Sequence, residues 1–195
     1  EGGIRVPLFI DFPGNTLKGD SCVVPVTGAD LYPTFLDMAG IPLMPGQHQD
    51  GVSLLPLLQG KSIPERALYW HYPHYGNQGG EPSSIIRQGD WKLIHYYEDG
   101  RDELYNLRID ETESEPLNVQ YPEKVEFLSK KLSVWLTEVG ARYPEPDPQY
   151  NPAAEALYKK KTRERMMKTL EATRKKQLGK DFKPNADWWG SETKD

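Results

Sequence analysis

Cysteine is nearly absent: Cys22 is the only one in 195 residues. A single thiol excludes an internal disulfide framework and any cysteine-based zinc cluster. Long apolar runs are missing too. None approaches the roughly 20 residues that a membrane span needs, so no span is expected. Hydrophobic residues make up 37% of the chain, which suits a modest core. The opening residues carry neither an initiator methionine nor a signal-peptide pattern, so the sequence is expected to begin inside a longer protein. The length accommodates roughly one domain or one and a half.

Charge is plentiful and unevenly spread. Lys and Arg number 24 against 29 Asp and Glu, a net charge of -5. Between residues 159 and 176, nine Lys or Arg face two Glu, a local charge of +7 that leaves -12 for the remainder. This asymmetry sets the tail apart from the body. Aromatic residues gather in the centre of the chain, and Trp188-Trp189 near its end are expected to dock against a surface.

Apolar periodicity divides the chain into three parts. Residues 6–12 read as a strand buried on both faces, as in a parallel or mixed sheet under helices, and end at Pro13-Gly14. Residues 29–39 read as a short helix with Leu31, Phe35 and Met38 on one stripe and Gly40 beyond its end. Its start is contested. Thr27 and Asp30 have capping-box spacing, whereas Pro33 tolerates only the first turn, which favours Asp30 as the cap. Residues 53–58 form a second short helix ending at Gly60. Four short strands follow, at 67–72, 83–87, 91–97 and 103–107, with Gly89-Asp90 and Asp99-Gly100 as hairpin signals. Residues 121–140 read as an amphipathic helix with Val125, Leu128, Leu132, Trp135, Leu136 and Val139 on its apolar face. One side of the preceding sheet is the surface it is expected to cover. A proline-rich stretch at 143–152 reads as a linker or strap, 153–178 as a weakly amphipathic basic helix, and 179–195 lack periodicity.

Six phrases stand in order along this frame: EGGIRVPLFIDFPG, VTGADLYPTFLDMAGI, DGVSLLPLLQGK, ERALYWHYPHY, SSIIRQGDWKLIHYYEDGRDELYNLRID and then Asn118-Val119. Together, over roughly residues 1–140, they resemble the C-terminal portion of formylglycine-dependent sulfatases, the arylsulfatase family of the alkaline-phosphatase-like superfamily. The resemblance implies an α/β fold: the C-terminal part of an alkaline-phosphatase-like sandwich plus a small subdomain of antiparallel sheet and helix. It implies that residues 1–62 end the catalytic domain, that 63–142 form the subdomain, and that 143–195 are linker, basic helix and tail. It also implies hydrolysis of a sulfate ester of a carbohydrate or aryl substrate. The nucleophile would be a formylglycine, and a calcium ion (Ca2+) would polarise the sulfate. Neither a C/S-x-P-S-R motif nor the family's metal-binding aspartates occur here, so the nucleophile and the calcium ligands are expected outside this sequence. No catalytic residue is therefore assigned, and the fragment is expected to be inactive alone. The implied partners are a small or glycan sulfate ester and the rest of the catalytic domain, without nucleic acid. The implied location is the periplasm or beyond the cell. The acidic run from Glu111 to Glu115 departs from the family's usual Asp-Pro form, which leaves its turn open.

The candidate substrate-binding residues are His74, Asn77, Gln78, Arg87 and His71. Pro73 ends the first strand, which leaves His74, Asn77 and Gln78 on a polar loop. In related sulfatases that loop lies near the mouth of the substrate pocket. Imidazole and carboxamide groups donate to and accept from sugar hydroxyls; the alternative is a plain connector. His71 and His74 are three apart, on opposite sides of a strand, which disfavours joint metal ligation. His71 is either a substrate contact or a satisfied structural histidine. Arg87 suits an anionic group, or else a structural ion pair with Asp90 or Glu103. His48 and His95 read as surface or structural residues. Trp91, Lys92 and Tyr105 read as packing residues. Two rival functions remain at this point: a phosphate or phosphonate ester hydrolase of the same superfamily, and a non-catalytic polyanion- or carbohydrate-binding module using the basic helix and the aromatic-rich sheet.

Overall fold

The computed structural model describes residues 1–14, 16, 19, 21–76 and 80–183. They divide into two compact units, residues 1–144 and the chain from 145 onward. No helix among the described residues is long and apolar enough to cross a membrane.

In the first unit a 3-10 turn, Gly28–Asp30, leads into helix α1, Leu31–Met38. The contested helix start is resolved by both candidate caps acting in series. Thr27 caps the 3-10 turn and its N–H donates to Asp30 Oδ2 at 2.7 Å. Asp30 is then the N-cap of α1, which leaves Pro33 in the first turn, where its missing N–H costs nothing. Helix α2 spans only Leu55–Leu58. It starts later than the apolar pattern suggests, with Leu54 as its N-cap, and the Ser53 hydroxyl ahead of it donates to Asp37 Oδ2 at 2.5 Å.

Strands β1 (Ala67–Tyr72), β2 (Ser83–Gln88), β3 (Trp91–Tyr96) and β4 (Asp102–Asn106) form an antiparallel meander in the order β1-β2-β3-β4. Gly89, at φ +57°, turns β2 into β3 over two residues, where a side chain would be strained. The register pairs Tyr69 with Ile86, Ile86 with Leu93, and Leu93 with Leu104, which places these residues in one row on one face. Helix α3, Pro122–Glu138, covers that row with Leu128, Leu132 and Leu136. Tyr69 stacks on Trp135 at 4.8 Å between ring centroids. Burial of each of these leucines contributes on the order of 1.5–3 kcal/mol. Val139 was expected on the same stripe but stands half exposed, because it is the C-cap of α3 rather than part of its last turn.

One expectation fails. Residues 6–12 form no strand, and Val6 and Phe9 are 75% and 89% exposed. No described strand lies alongside to take up their backbone groups, so the run stays irregular. Trp188-Trp189 lie outside the described residues.

In the second unit helix α4 spans Pro152–Gln177 and buries no residue. Asn151 caps it: Oδ1 accepts from Ala153 N at 3.0 Å and from Ala154 N at 3.1 Å.

Candidate functional site

Three polar clusters organise the first unit, and each joins residues far apart in sequence. The first is centred on Asp30, which is fully buried. Its carboxylate accepts from Thr27 N and from Val52 N at 2.9 Å, and forms an ion pair with Arg66. Burial pushes its pKa up, but Arg66 and the two backbone donors outweigh burial and hold the carboxyl below its ordinary value. Thr34 extends the arrangement: its hydroxyl donates to Asp30 O at 2.6 Å and accepts from Leu54 N at 2.9 Å. Gly51 is required where the two segments meet, since a Cβ there would lie 2.1 Å from the Ala29 carbonyl oxygen. His48 Nδ1 lies 3.1 Å from Gly51 O in the same turn.

The second cluster stands at one end of the sheet, on the face that α3 covers. His71 Nδ1 lies 2.7 Å from the buried Ser84 hydroxyl, and that hydroxyl lies 2.6 Å from Tyr97 Oη. His71 Nε2 lies 2.8 Å from the Arg142 carbonyl oxygen, and Tyr143 packs edge-on against both His71 and Tyr97. Both ring nitrogens of His71 are therefore taken by the chain itself, and they tie residues 142–143 to the sheet. Beside them His95 Nδ1 sits 2.8 Å from Asp102 Oδ1. The Asp102 hydrogen bond raises the His95 pKa against the opposing effect of burial.

The third cluster lies on the opposite face of the sheet. Arg87 and Lys92 are cross-strand partners there, two cations side by side. Lys92 is 2% exposed, and a charge so buried needs a partner. Glu1 and Glu113 supply two. Lys92 Nζ lies 3.3 Å from Glu1 Oε1 and forms an ion pair with Glu113, while Arg87 Nη1 lies 3.3 Å from Glu1 Oε2. Burial raises the pKa of Glu113, and the ion pair with Lys92 opposes this and favours the charged carboxylate. The acidic turn left open by the sequence is organised by Asp110, whose carboxylate accepts from Ser114 N at 2.9 Å and Glu115 N at 3.0 Å. Glu113 itself takes φ +55°, a left-handed conformation that disfavours a side chain, and its reach to Lys92 opposes that cost. Further along this face Glu103 accepts from Tyr105 Oη at 2.8 Å and from Arg101 Nε at 3.1 Å. Burial first, and then Glu103, push the Tyr105 phenol well above its usual range.

The candidate substrate residues are thus dispersed. His71 and Arg87 stand on opposite faces of the sheet. His74 follows the end of β1, is exposed, and meets the Tyr72 ring edge-on at 5.5 Å. Asn77 and Gln78 lie outside the described residues. Of the three that are described, His74 makes no polar contact with the other described residues, while Arg87 is ion-paired with Glu1. The sequence offered Asp30 only as a helix cap and Glu113 only as part of an acidic run, and it gave Ser84 no role. Ser84 was detectable, because strand alternation puts this polar residue in the same row as Ile86. Among the described residues no group of three or more His, Cys, Asp or Glu could hold a metal ion. The described residues therefore do not fit a calcium site, and no step through calcium follows from them.

The comparisons with known proteins agree with the sequence resemblance. The family described as N-sulphoglucosamine sulphohydrolase, C-terminal, matches residues 1–141. A sulfatase of Formosa agariphila is 34% identical over 157 residues, covering 72% of this chain and 28% of that protein. Arylsulfatase K of Danio rerio is 36% identical over 138 residues, covering 68% of this chain and 26% of its own. A solved structure of a protein in complex with its substrate D-glucosamine-2-N,6-O-disulfate aligns with a TM-score of 0.47 and 33% identity, over 55% of this chain and 23% of that one. The chain spans about a quarter of the length of the curated relatives it matches. The family match spans residues 1–141, which take in the Glu1 segment, the Asp30 cluster, the sheet and α3, and on that ground the chain belongs to the N-sulphoglucosamine sulphohydrolase C-terminal family.

Proposed function

We propose that this chain is the C-terminal part of a sulfatase that hydrolyses sulfate esters of a sugar. The observation that carries this reading is the family match over residues 1–141, supported by curated relatives named as sulfatases at 34% and 36% identity. Another relative, 33% identical over 152 residues, is named an N-acetylglucosamine-6-O-sulfatase, which favours a sugar over an aryl substrate. Residues 1–62 complete the catalytic domain, 63–142 form a small subdomain against it, and 143–195 form a separate tail. The enzyme carries the family's metal, calcium, together with a formylglycine nucleophile, and the residues for both lie outside this chain. The location proposed is the periplasm or the exterior.

The role left to these residues is positional. The Asp30 cluster locks the segments around residues 27–34, 50–54 and 66 into one piece. The sheet then carries the loop after β1, with His74 at its exposed start, toward the substrate. His74 donates a hydrogen bond to a sugar or sulfate oxygen; Asn77 and Gln78, the further donors that the sequence nominates, lie outside the described residues. His71 and Arg87 shape this wall indirectly, by holding the Arg142 backbone and the Glu1 carboxylate.

The test uses the full-length protein with a sulfated glucosamine and an aryl sulfate. Hydrolysis by the full protein, and none by the 195-residue chain alone, is the expected result. Turnover by the isolated chain at an enzymatic rate would sink the reading. His74→Ala is expected to raise KM for the sulfated sugar on the order of two- to tenfold, the worth of one hydrogen bond. Unchanged KM and kcat would remove His74 from the pocket wall.

A further inference from the structure

Helix α4 is 26 residues long and buries none of them. Its apolar residues form no seam: Leu157, Met166, Met167 and Leu170 are all 41–57% exposed. Its order lies in the charges instead. At 100° per residue, Lys161, Arg165, Lys168 and Lys175 fall within a sector of about 80°. With a rise of 1.5 Å per residue they extend along about 21 Å of the axis. Charges are paired near the two ends, Glu155 with Lys159 at 2.7 Å and Glu171 with Arg174 at 2.8 Å. Between them Lys161, Arg165 and Lys168 form no ion pair among the described residues, and Glu164, the acidic residue in that stretch, pairs with none of them. Like charges at i, i+4 and i, i+3 destabilise an isolated helix. The stripe therefore carries a local repulsive cost within the helix.

We propose that this stripe docks a sulfated polysaccharide, a polymeric form of the substrate class inferred above, and this proposal rests on that reading. Three features choose this occupant. Charge complementarity selects an anionic partner, since the region between residues 159 and 176 carries +7 and Lys161, Arg165 and Lys168 meet no acidic side chain in an ion pair among the described residues. Tyr158 is the sole aromatic residue of α4, so there is no stacking platform for nucleic acid bases. The absence of an apolar face leaves nothing to insert into a lipid surface. Sulfate groups along a glycan remain ionised at every physiological pH, and guanidinium and ammonium groups in a row meet them without needing base recognition.

The test measures binding of the full-length protein to heparin across a salt series. The triple variant Lys161→Gln, Arg165→Gln, Lys168→Gln removes the charge while keeping good helix formers. A fall in affinity of at least about tenfold, with a shallower dependence of log K on log salt, is the expected result. A charge-conserving variant, Lys161→Arg, Arg165→Lys, Lys168→Arg, retains binding and its salt slope, which separates loss of charge from loss of fold. The inference is overturned if heparin is not retained at low salt, or if the triple variant binds as the parent does. It is overturned equally if oligo-dT, or the unsulfated polymer hyaluronan, binds as tightly as heparin. Hydrolysis of the small sulfated sugar is measured in parallel. Hydrolysis without heparin retention removes the stripe alone, whereas retention without hydrolysis removes the sulfatase reading and leaves the stripe.

Discussion

Helices α3 and α4 both carry proline in the first turn, yet the 17-residue α3 buries Leu128, Leu132 and Leu136 while the 26-residue α4 buries nothing. Their caps differ in the opposite sense. Tyr121 ahead of α3 makes no side-chain cap bond, whereas Asn151 ahead of α4 accepts two backbone N–H groups. Basic residues Arg174, Lys175 and Lys176 in the last turn of α4 further suit the negative end of its dipole. α3 is a helix because a sheet needs covering, and its own sequence need do little beyond periodicity. α4 is a helix through local means: length, capping and ion pairs one turn apart. The Asp30 cluster belongs with α3, since its contacts reach 22 residues to Val52 and 36 to Arg66.

This contrast is open to direct attack. The largest effect is expected from Arg66→Met, which leaves the buried Asp30 carboxylate unpaired and costs about 3–5 kcal/mol. Denaturant unfolding measures it, and an unchanged midpoint would show that the backbone donors at Thr27 and Val52 suffice. Next, Leu132→Ala in α3 is expected to cost about 2–5 kcal/mol, and Leu170→Ala in α4 to stay within about 0.5 kcal/mol. Equal losses at the two sites would erase the distinction between the helices. Asn151→Ala is expected to cost about 0.5–2 kcal/mol and to lower the helical far-UV signal without moving the unfolding of the sheet. A concerted shift of both would mean that α4 is tied to the core after all.

The smallest effect concerns pH. The folded-state pKa of His95 is raised by Asp102, so the stability it contributes is fully present below its unfolded value of about 6.5 and fades as pH rises through the higher folded value. His95→Gln should flatten that limb of the stability profile. The change is small, because His95 is about one-third exposed and solvent screens the pair. A profile of the same slope in parent and variant would assign the pH dependence elsewhere.

Periodicity made much of the fold readable. The four strands, the turn at Gly89 and the seam of α3 follow from alternation and from i, i+4 spacing, which survive whatever the chain packs against. Residues 6–12 did not follow: an apolar run says that burial is wanted but does not supply a neighbour, and no strand among the described residues lies beside it. For the candidate site, sequence could nominate His71, His74 and Arg87 as suitable side chains. It could not show that both nitrogens of His71 are engaged by Ser84 and Arg142, or that Arg87 faces away toward Glu1. Those facts depend on sheet register and on segments that return from a distance.

The order of the elements, the charge split between body and tail, and the family phrases were all present in the linear string, because each is a matter of neighbouring residues. The partners of Asp30, the pairing of Lys92 with Glu1 and Glu113, and the exposure of His74 were decided only when remote segments met. Burial removes water from a charged group and forces it to take whichever opposite charge the fold brings near, and a one-dimensional sequence does not say which that will be.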